Sequence, residues 1–319
     1  MDEAPHPYLR WPGNFVRFWL KVARRYDVCH LHWHLFDSAA TTRLFFRTRV
    51  PKVWTVHNFI PHSPVLRDDL ATTHEYLNSV DSAVWHSARS IADARLEFAV
   101  AGLSDCWHAS DRVIPHMSFN GVWRNELSRE AARRAIGIEP EAYVVGHFGP
   151  THTYKGTMKI LRLAAESTND SVRYAVFGLC GDPALGRALV VESEALPNLK
   201  LHLAHVGDQD LQAWFNACDI LVQPYTRVTT SGTIYFAIAF RRPIIASPMG
   251  NIPDVIEHRV RGWLASEPQE IAACLEEAMA DSGRAVEMAE KAYRYVSETA
   301  NVSLVAKAYE RTYEDVVKS

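Results

Sequence analysis

The chain has 319 residues, 48% of them hydrophobic, and its 34 Lys+Arg against 37 Asp+Glu give a formal net charge of -3. That length allows two domains or one large α/β domain, with a core that needs no staples, and the near-balance of charge argues against a nucleic-acid-binding protein. Five cysteines (Cys29, Cys106, Cys180, Cys218, Cys274), odd in number and without C-x-x-C spacing, exclude a disulfide framework or a zinc module and fit a reducing, cytoplasmic compartment.

No run of about 18 apolar residues reads as a membrane span, and the N-terminus lacks the apolar core and cleavage site of a signal peptide. Charge is uneven: residues 1–60 balance at +5 and the remainder at -8. A basic first segment suggests an anionic surface or substrate met at one end. The segment 15–25 (Phe15 to Arg25) interleaves bulky apolar and basic residues. It reads either as an interfacial helix at the inner face of an anionic membrane or as an amphipathic helix packed on the core.

In chain order, strands are expected at 28–33, 53–57, 83–85 and 113–116, alternating with helical patterns as in a parallel α/β fold. The first carries His30-Leu31-His32-Trp33-His34, and the strand period of two puts the three histidines on one face. Three imidazoles could hold zinc, but no cysteine partner or carboxylate pattern accompanies them. The preferred reading ends the strand, with His32 and His34, at the lip of a cleft, where ring N–H groups find backbone and ligand partners and no metal is held. In Thr55-Val56-His57-Asn58-Phe59-Ile60-Pro61-His62, His57 and Asn58 fall at the carboxyl end of a buried strand, where open α/β sheets place ligands. His57 there is a general base, a donor to a sugar or phosphate, or a residue bonded to its own loop.

The charged stretch Asn120–Glu141 separates this strand set from a second. It divides the chain into a first domain (1–125), a second (126–300) and a last helix (301–319) that packs back toward the first. A helix is expected over 129–135, with Ser128 as N-cap, Glu130 in the first turn and Gly137 as its end. Further strands are expected at 143–148, 174–177, 199–204, 220–223 and 244–246, with a helix over 208–216. Gly149 and Gly156 bracket a strand-to-helix loop that carries His152 and Lys155, a phosphate site in principle. It is not the P-loop pattern, because Lys155 precedes its glycine. The turn Thr229-Thr230-Ser231-Gly232-Thr233 leads into a helix from Ile234 and holds more hydroxyls than a helix cap needs.

Taken in order, Asp27–Trp33, Thr55–His62, Phe148–Gly156, Pro224–Thr233 and Arg242–Ala246 resemble the nucleotide-sugar glycosyltransferases of the GT-B fold. The likeness is greatest to the bacterial exopolysaccharide branch that includes the β-mannosyltransferases of xanthan assembly, and wider to glycosyltransferase family 4. It implies an α/β protein of two Rossmann-like domains with a cleft between them, acceptor domain first and donor domain second. It also implies metal-independent transfer without a cofactor. Lys155 then matches the diphosphate lysine, with Gly149 in its loop and His152 assisting, and Ser231, Gly232 and Thr233 match the phosphate turn. Gly178, Val206, Gly207 and Tyr225 would enclose the nucleoside, His57 would lie near the reacting sugar, and His32, His34 and Asn58 would stand on the acceptor side.

Departures from the pattern shape the expectation. Where retaining relatives carry two glutamates, this chain has Val228 and Phe236. That favours an inverting reaction, which needs a base for the acceptor hydroxyl. Asp37, His57 and His62 are the candidates. Pro150 replaces the arginine of the first glycine loop and Ser63 replaces a glutamate after Pro61-His62. The opening strand and glycine-rich loop have no counterpart, so a shortened N-terminal domain is expected. The expected activity moves a hexose of mannose or glucose type from a GDP- or UDP-sugar to a saccharide acceptor, lipid-linked, in exopolysaccharide or glycolipid synthesis. The alternatives are a degenerate GT-B binding protein and a sugar-nucleotide epimerase.

Overall fold

A computed structural model describes residue 21 and residues 25–33, 46–60 and 69–318. The chain forms two compact units, one of residues 1–116 with 302–319 and one of 117–301. The division falls earlier than the 125/126 boundary expected from charge, because Phe119 and Trp123 pack against the second unit's core and Asn120 bonds Tyr293 and Ser297 within it.

In the first unit, β1 (Cys29–Leu31), β2 (Lys52–Val56), β3 (Ser82–Trp85) and β4 (Arg112–Val113) form a parallel sheet in that order. The two middle strands are buried at every residue, as a parallel sheet covered on both faces requires. Alternation decides which cover each residue meets. Trp54, Val56, Ala83 and Trp85 point toward the helices Asp69–Ser79 and Ala88–Val100, among Tyr76, Leu77, Ala94 and Phe98. Val53 and Val84 point the other way, to Val305 and Val316 of the C-terminal helix Val302–Lys318. Two aspartates hold the strand starts: Asp81 accepts from the Lys52 amide at 2.7 Å and Asp111 from the Ala83 amide at 2.8 Å.

The second unit is a six-stranded parallel sheet. Its strands are β5 (Tyr143–Phe148), β6 (Val172–Phe177), β7 (Leu199–His202), β8 (Ile220–Gln223), β9 (Ile244–Ala246) and β10 (Trp263–Leu264). Their spatial order is β10-β9-β8-β5-β6-β7, the doubly wound arrangement whose switch point lies between β5 and β8. Val144, Ala175, Phe177 and Leu221 face one layer of helices, and Val145, Tyr174, Val176, Ile220 and Val222 face the other. β10 was not anticipated, since two residues are too few to show a period.

The helix Arg129–Ile136 begins at Ser128, whose side chain accepts from the Ala131 amide, and ends at Gly137 in the left-handed region. Its Arg133 is fully buried and clamps the sheet beneath. Nε donates to the Ala217 carbonyl at 3.1 Å, and one terminal nitrogen reaches Asp219 at 2.5 Å while Asp219 also accepts from the Val144 amide.

Candidate functional site

In the second unit, the loops that leave β5 and β8 meet at the switch point. Lys155 closes a short 3-10 turn, Thr153–Lys155, and is only 6% exposed. Its ammonium donates to Thr233 Oγ1 at 2.9 Å and to the Tyr225 hydroxyl at 3.2 Å, and it lies 4.9 Å from the centre of the Tyr225 ring. Tyr225 continues the network to Ser231 Oγ at 2.7 Å, and the Ser231 amide donates to Asn251 Oδ1 at 2.9 Å. Among the described residues no carboxylate pairs with Lys155. A buried ammonium held only by hydroxyls and a ring face is an arrangement that an anionic group completes.

In the same two loops, Thr230 Oγ1 and Thr151 Oγ1 are buried without hydrogen-bond partners among the described residues. Each is an unused donor within a segment that the sequence marks for phosphate. Gly156 is required by contact as well as by conformation: at φ 73° an added Cβ would lie 2.0 Å from the Pro224 carbonyl oxygen. The lysine loop and the strand-end loop therefore touch backbone to backbone.

In the first unit, a histidine directly follows each of three strands: His32 after β1, His57 after β2 and His86 after β3. His116 lies three residues past β4. His32 Nδ1 and His57 Nε2 are 3.1 Å apart, and His57 Nδ1 and His86 Nε2 are 3.3 Å apart. The His116 ring lies 5.3 Å from that of His86. Burial, then the imidazoles of His32 and His116, lowers the His57 pKa to about 4, and burial with His116 lowers that of His86 to about 3. Burial also lowers that of His32. His30, behind the row, has both nitrogens engaged, with Tyr313 at 2.7 Å and Thr55 at 2.8 Å.

Residues 140–281 match the family described as Glycosyl transferases group 1. That match lies within the second unit. The chain is 24% identical to a GDP-mannose:glycolipid 4-beta-D-mannosyltransferase of Xanthomonas campestris pv. campestris, over 82% of this chain and 72% of that protein. It is 23% identical to a D-inositol 3-phosphate glycosyltransferase of Corynebacterium aurimucosum, over 99% of this chain and 78% of that one. Among solved structures, the Anabaena HepE protein in complex with UDP-glucose superimposes with a TM-score of 0.78 at 19% identity, covering 95% of this chain and 82% of its own. Sucrose-phosphate synthase from Thermosynechococcus elongatus does so with 0.78 at 17% identity, covering 95% and 77%. The fold is that of the GT-B glycosyltransferases.

In the second unit the structure brings together Lys155, Ser231, Thr233 and Tyr225. Tyr225, expected beside the nucleoside, is fully buried, with its hydroxyl between Lys155 and Ser231. Gly149 lies in the lysine loop as expected, but its amide donates to the Phe177 carbonyl at 3.1 Å and is not offered to a ligand. Gly232 immediately precedes the helix Thr233–Ala239. His152 starts the 3-10 turn and stacks on Tyr154 at 5.5 Å between ring centres. Gly178 ends β6, with its amide bonded to the His202 carbonyl. Val206 is buried and Gly207 caps the approach to the helix Leu211–Ala217, its carbonyl accepting from the Asp210 and Leu211 amides.

At the two glutamate positions, Val228 is buried and Phe236 stacks on Trp123 at 4.3 Å, with Phe119 and Phe148 also within ring contact. A carboxylate at position 236 would be taken from water into an aromatic cluster.

Of the acceptor-side expectations, Asn58 lies just past β2, and His32 follows β1 with its ring centre 4.2 Å from that of His30. His57, expected as a base, has both nitrogens engaged by neighbouring imidazoles. Among the described residues no group of His, Cys, Asp and Glu is arranged to hold a metal ion. Asp37, His34 and His62 lie outside the described residues, as does nearly all of 15–25. His86 and His116 were not anticipated as site residues. The signal was a histidine recurring just after successive strands, in Val84-Trp85-His86 and Val113-Ile114-Pro115-His116.

Proposed function

We propose that this glycosyltransferase moves a hexose, of mannose or glucose type, from a nucleoside diphosphate sugar to a saccharide acceptor in exopolysaccharide or glycolipid synthesis. The observation that carries the reading is the buried Lys155 ammonium, bonded to hydroxyls and unpaired with any carboxylate among the described residues, at the switch point of a doubly wound sheet. Such a charge stabilises the diphosphate as it leaves, with Thr233, Ser231 and Thr230 supplying hydroxyls and no metal required. The Xanthomonas relative uses GDP-mannose and a glycolipid by its name, and the Anabaena structure holds UDP-glucose. Both support a nucleotide-sugar donor, and the name of the Xanthomonas relative supports a glycosylated, lipid-linked acceptor, which this reading gives to the first unit. The apolar side chains at 228 and 236 support inversion over retention.

The test is a thermal-shift panel of GDP, UDP, ADP and their hexose conjugates. A ligand at a hundredfold excess over Kd stabilises the folded state by about 2.7 kcal/mol. A shift with one nucleotide series chooses the donor class, and no shift with any refutes the reading. The apolar 228 and 236 positions also suit a protein that binds nucleotide without transferring sugar. Transfer or donor hydrolysis in the presence of an acceptor extract eliminates that second reading.

A further inference from the structure

The row of imidazoles at the carboxyl edge of the first sheet has its protons placed by one backbone group. His86 Nδ1 lies 2.9 Å from the Ile114 carbonyl oxygen, which can only accept, so Nδ1 carries hydrogen and Nε2 of the neutral ring carries the lone pair. His57 must then donate from Nδ1 to His86 Nε2, which leaves the lone pair of neutral His57 on its own Nε2. That atom accepts from His32 Nδ1. The remaining lone pair of the row is His32 Nε2, on an exposed residue, with no hydrogen-bond partner among the described residues. Neutrality of the three rings at pH 7 follows from their burial and from the positions of their neighbours. The groups that face the row are the His30 ring against His32, the Trp33 ring 4.9 Å from His57, and His116 beside His86. Tyr313 and Tyr309 of the C-terminal helix stand behind His30.

We propose that His32, through Nε2, is the base for the acceptor hydroxyl, and that His57 and His86 are positioning residues that hold it in the Nδ1–H tautomer. This rests on the glycosyl-transfer reading above. In the step, the hydroxyl oxygen bonds to the anomeric carbon, and the bond from that carbon to the diphosphate oxygen breaks with its electron pair remaining on the diphosphate. The hydroxyl proton passes to His32 Nε2. The resulting imidazolium donates from Nδ1 to the lone pair of His57, which stabilises it as a third group orients the base in other hydrolytic and transfer sites. The charge stays on His32 and leaves from there to solvent, because the inner rings are the more deeply buried.

Imidazole nitrogen NMR of the intact protein at pH 7 reads the tautomers without relying on activity. His32, His57 and His86 are all expected in the Nδ1–H form, the less common one for free histidine; an Nε2–H form at His57 or His32 overturns the proposal. His86→Phe removes the acceptor for His57, and both outer rings are then expected to lose the single tautomer while the acid limb of the acceptor kcat/KM profile shifts and donor KM holds. Unchanged tautomers and pH profile in His86→Phe overturn the positioning role. His32→Gln is expected to lower transfer about 100-fold or more with nucleotide affinity unchanged. Full transfer by His32→Gln overturns the base assignment and leaves the glycosyl-transfer reading standing. A wild-type protein that binds and turns over no nucleotide sugar, yet shows the three tautomers, brings down that reading and the base role with it.

Discussion

The two parallel sheets end in opposite chemistries. At the carboxyl edge of the first stand neutral imidazoles that are one another's partners, and at that of the second a buried ammonium stands among hydroxyls. Both exploit the same property of the architecture, which delivers the residue after each strand to one rim of the sheet. What differs is the residue type placed there. Neutral imidazoles offer lone pairs to a proton, whereas Lys155, Thr233 and Ser231 offer donors to an anion. A transfer that releases a proton from one substrate and a diphosphate from the other needs one of each.

The largest expected effect breaks the second edge. Lys155→Ala should lower transfer from the nucleotide sugar by about 100-fold or more, roughly 2.7 kcal/mol or above of lost transition-state stabilisation, read from initial rates. Wild-type rates would remove Lys155 from the site. Lys155→Met should at the same time raise the melting temperature of the nucleotide-free protein, since an ammonium without a carboxylate gives way to an apolar chain.

Next comes the packing that joins the two loops of that edge. Gly156→Ala sets a Cβ against the Pro224 carbonyl oxygen and should cost about 2–4 kcal/mol in urea denaturation. Gly102→Ala in the first unit is the control: φ is 70° there too, but nothing lies within 4 Å, and the cost should be about 1 kcal/mol. Equal losses would show that conformation alone, and not the contact between loops, sets the requirement.

Acid should separate the two units. The folded-state pKa values of His30 and His57 are lowered to about 4 and that of His86 to about 3, while the unfolded chain titrates near 6.5. Between those values the unfolded chain binds protons that the folded one does not, so stability is full above about pH 6.5 and is lost as pH falls toward 4. In the second unit burial holds His147 down in the same way, to about 4. Amide exchange, corrected for its intrinsic pH dependence, should therefore report earlier opening of the first unit at pH 5. Equal protection of both units would contradict the assignment.

The smallest effect sharpens the role of the unpartnered hydroxyl. Thr230→Val removes a buried Oγ1 that bonds no described residue, so the unliganded stability should change by no more than about 0.5 kcal/mol. Nucleotide affinity should fall by about 1 kcal/mol, measured by calorimetry. Unchanged affinity would place Thr230 outside the anion site.

Much of this was legible in the chain. The predicted strands at 143–148, 220–223 and 244–246 coincide with β5, β8 and β9, because continuous apolar runs between turn residues leave few alternatives. The cap at Ser128 and the stop at Gly137 were equally local and were found where expected. Less legible were strands of two residues, such as β10, and the partners of each histidine. Tyr225 shows the limit most plainly: the family resemblance sets it beside a nucleoside and nothing local shows where its hydroxyl points, whereas the fold turns that hydroxyl inward between Lys155 and Ser231.

By itself the sequence determined the alternation of strands and helices, the placing of Lys155 in a glycine-bracketed loop and the hydroxyl-rich turn near Ser231. These are local patterns of size, polarity and backbone freedom, and they are readable without knowing what lies across the sheet. The last helix was expected to pack back toward the first domain, but only the tertiary structure decided that it does so through Val305 and Val316, that Tyr225 joins the lysine, and that Ile114 sets the tautomers of His86, His57 and His32. A hydrogen-bonded ring takes its state from the atom opposite it, and strand order, not sequence distance, chooses that atom.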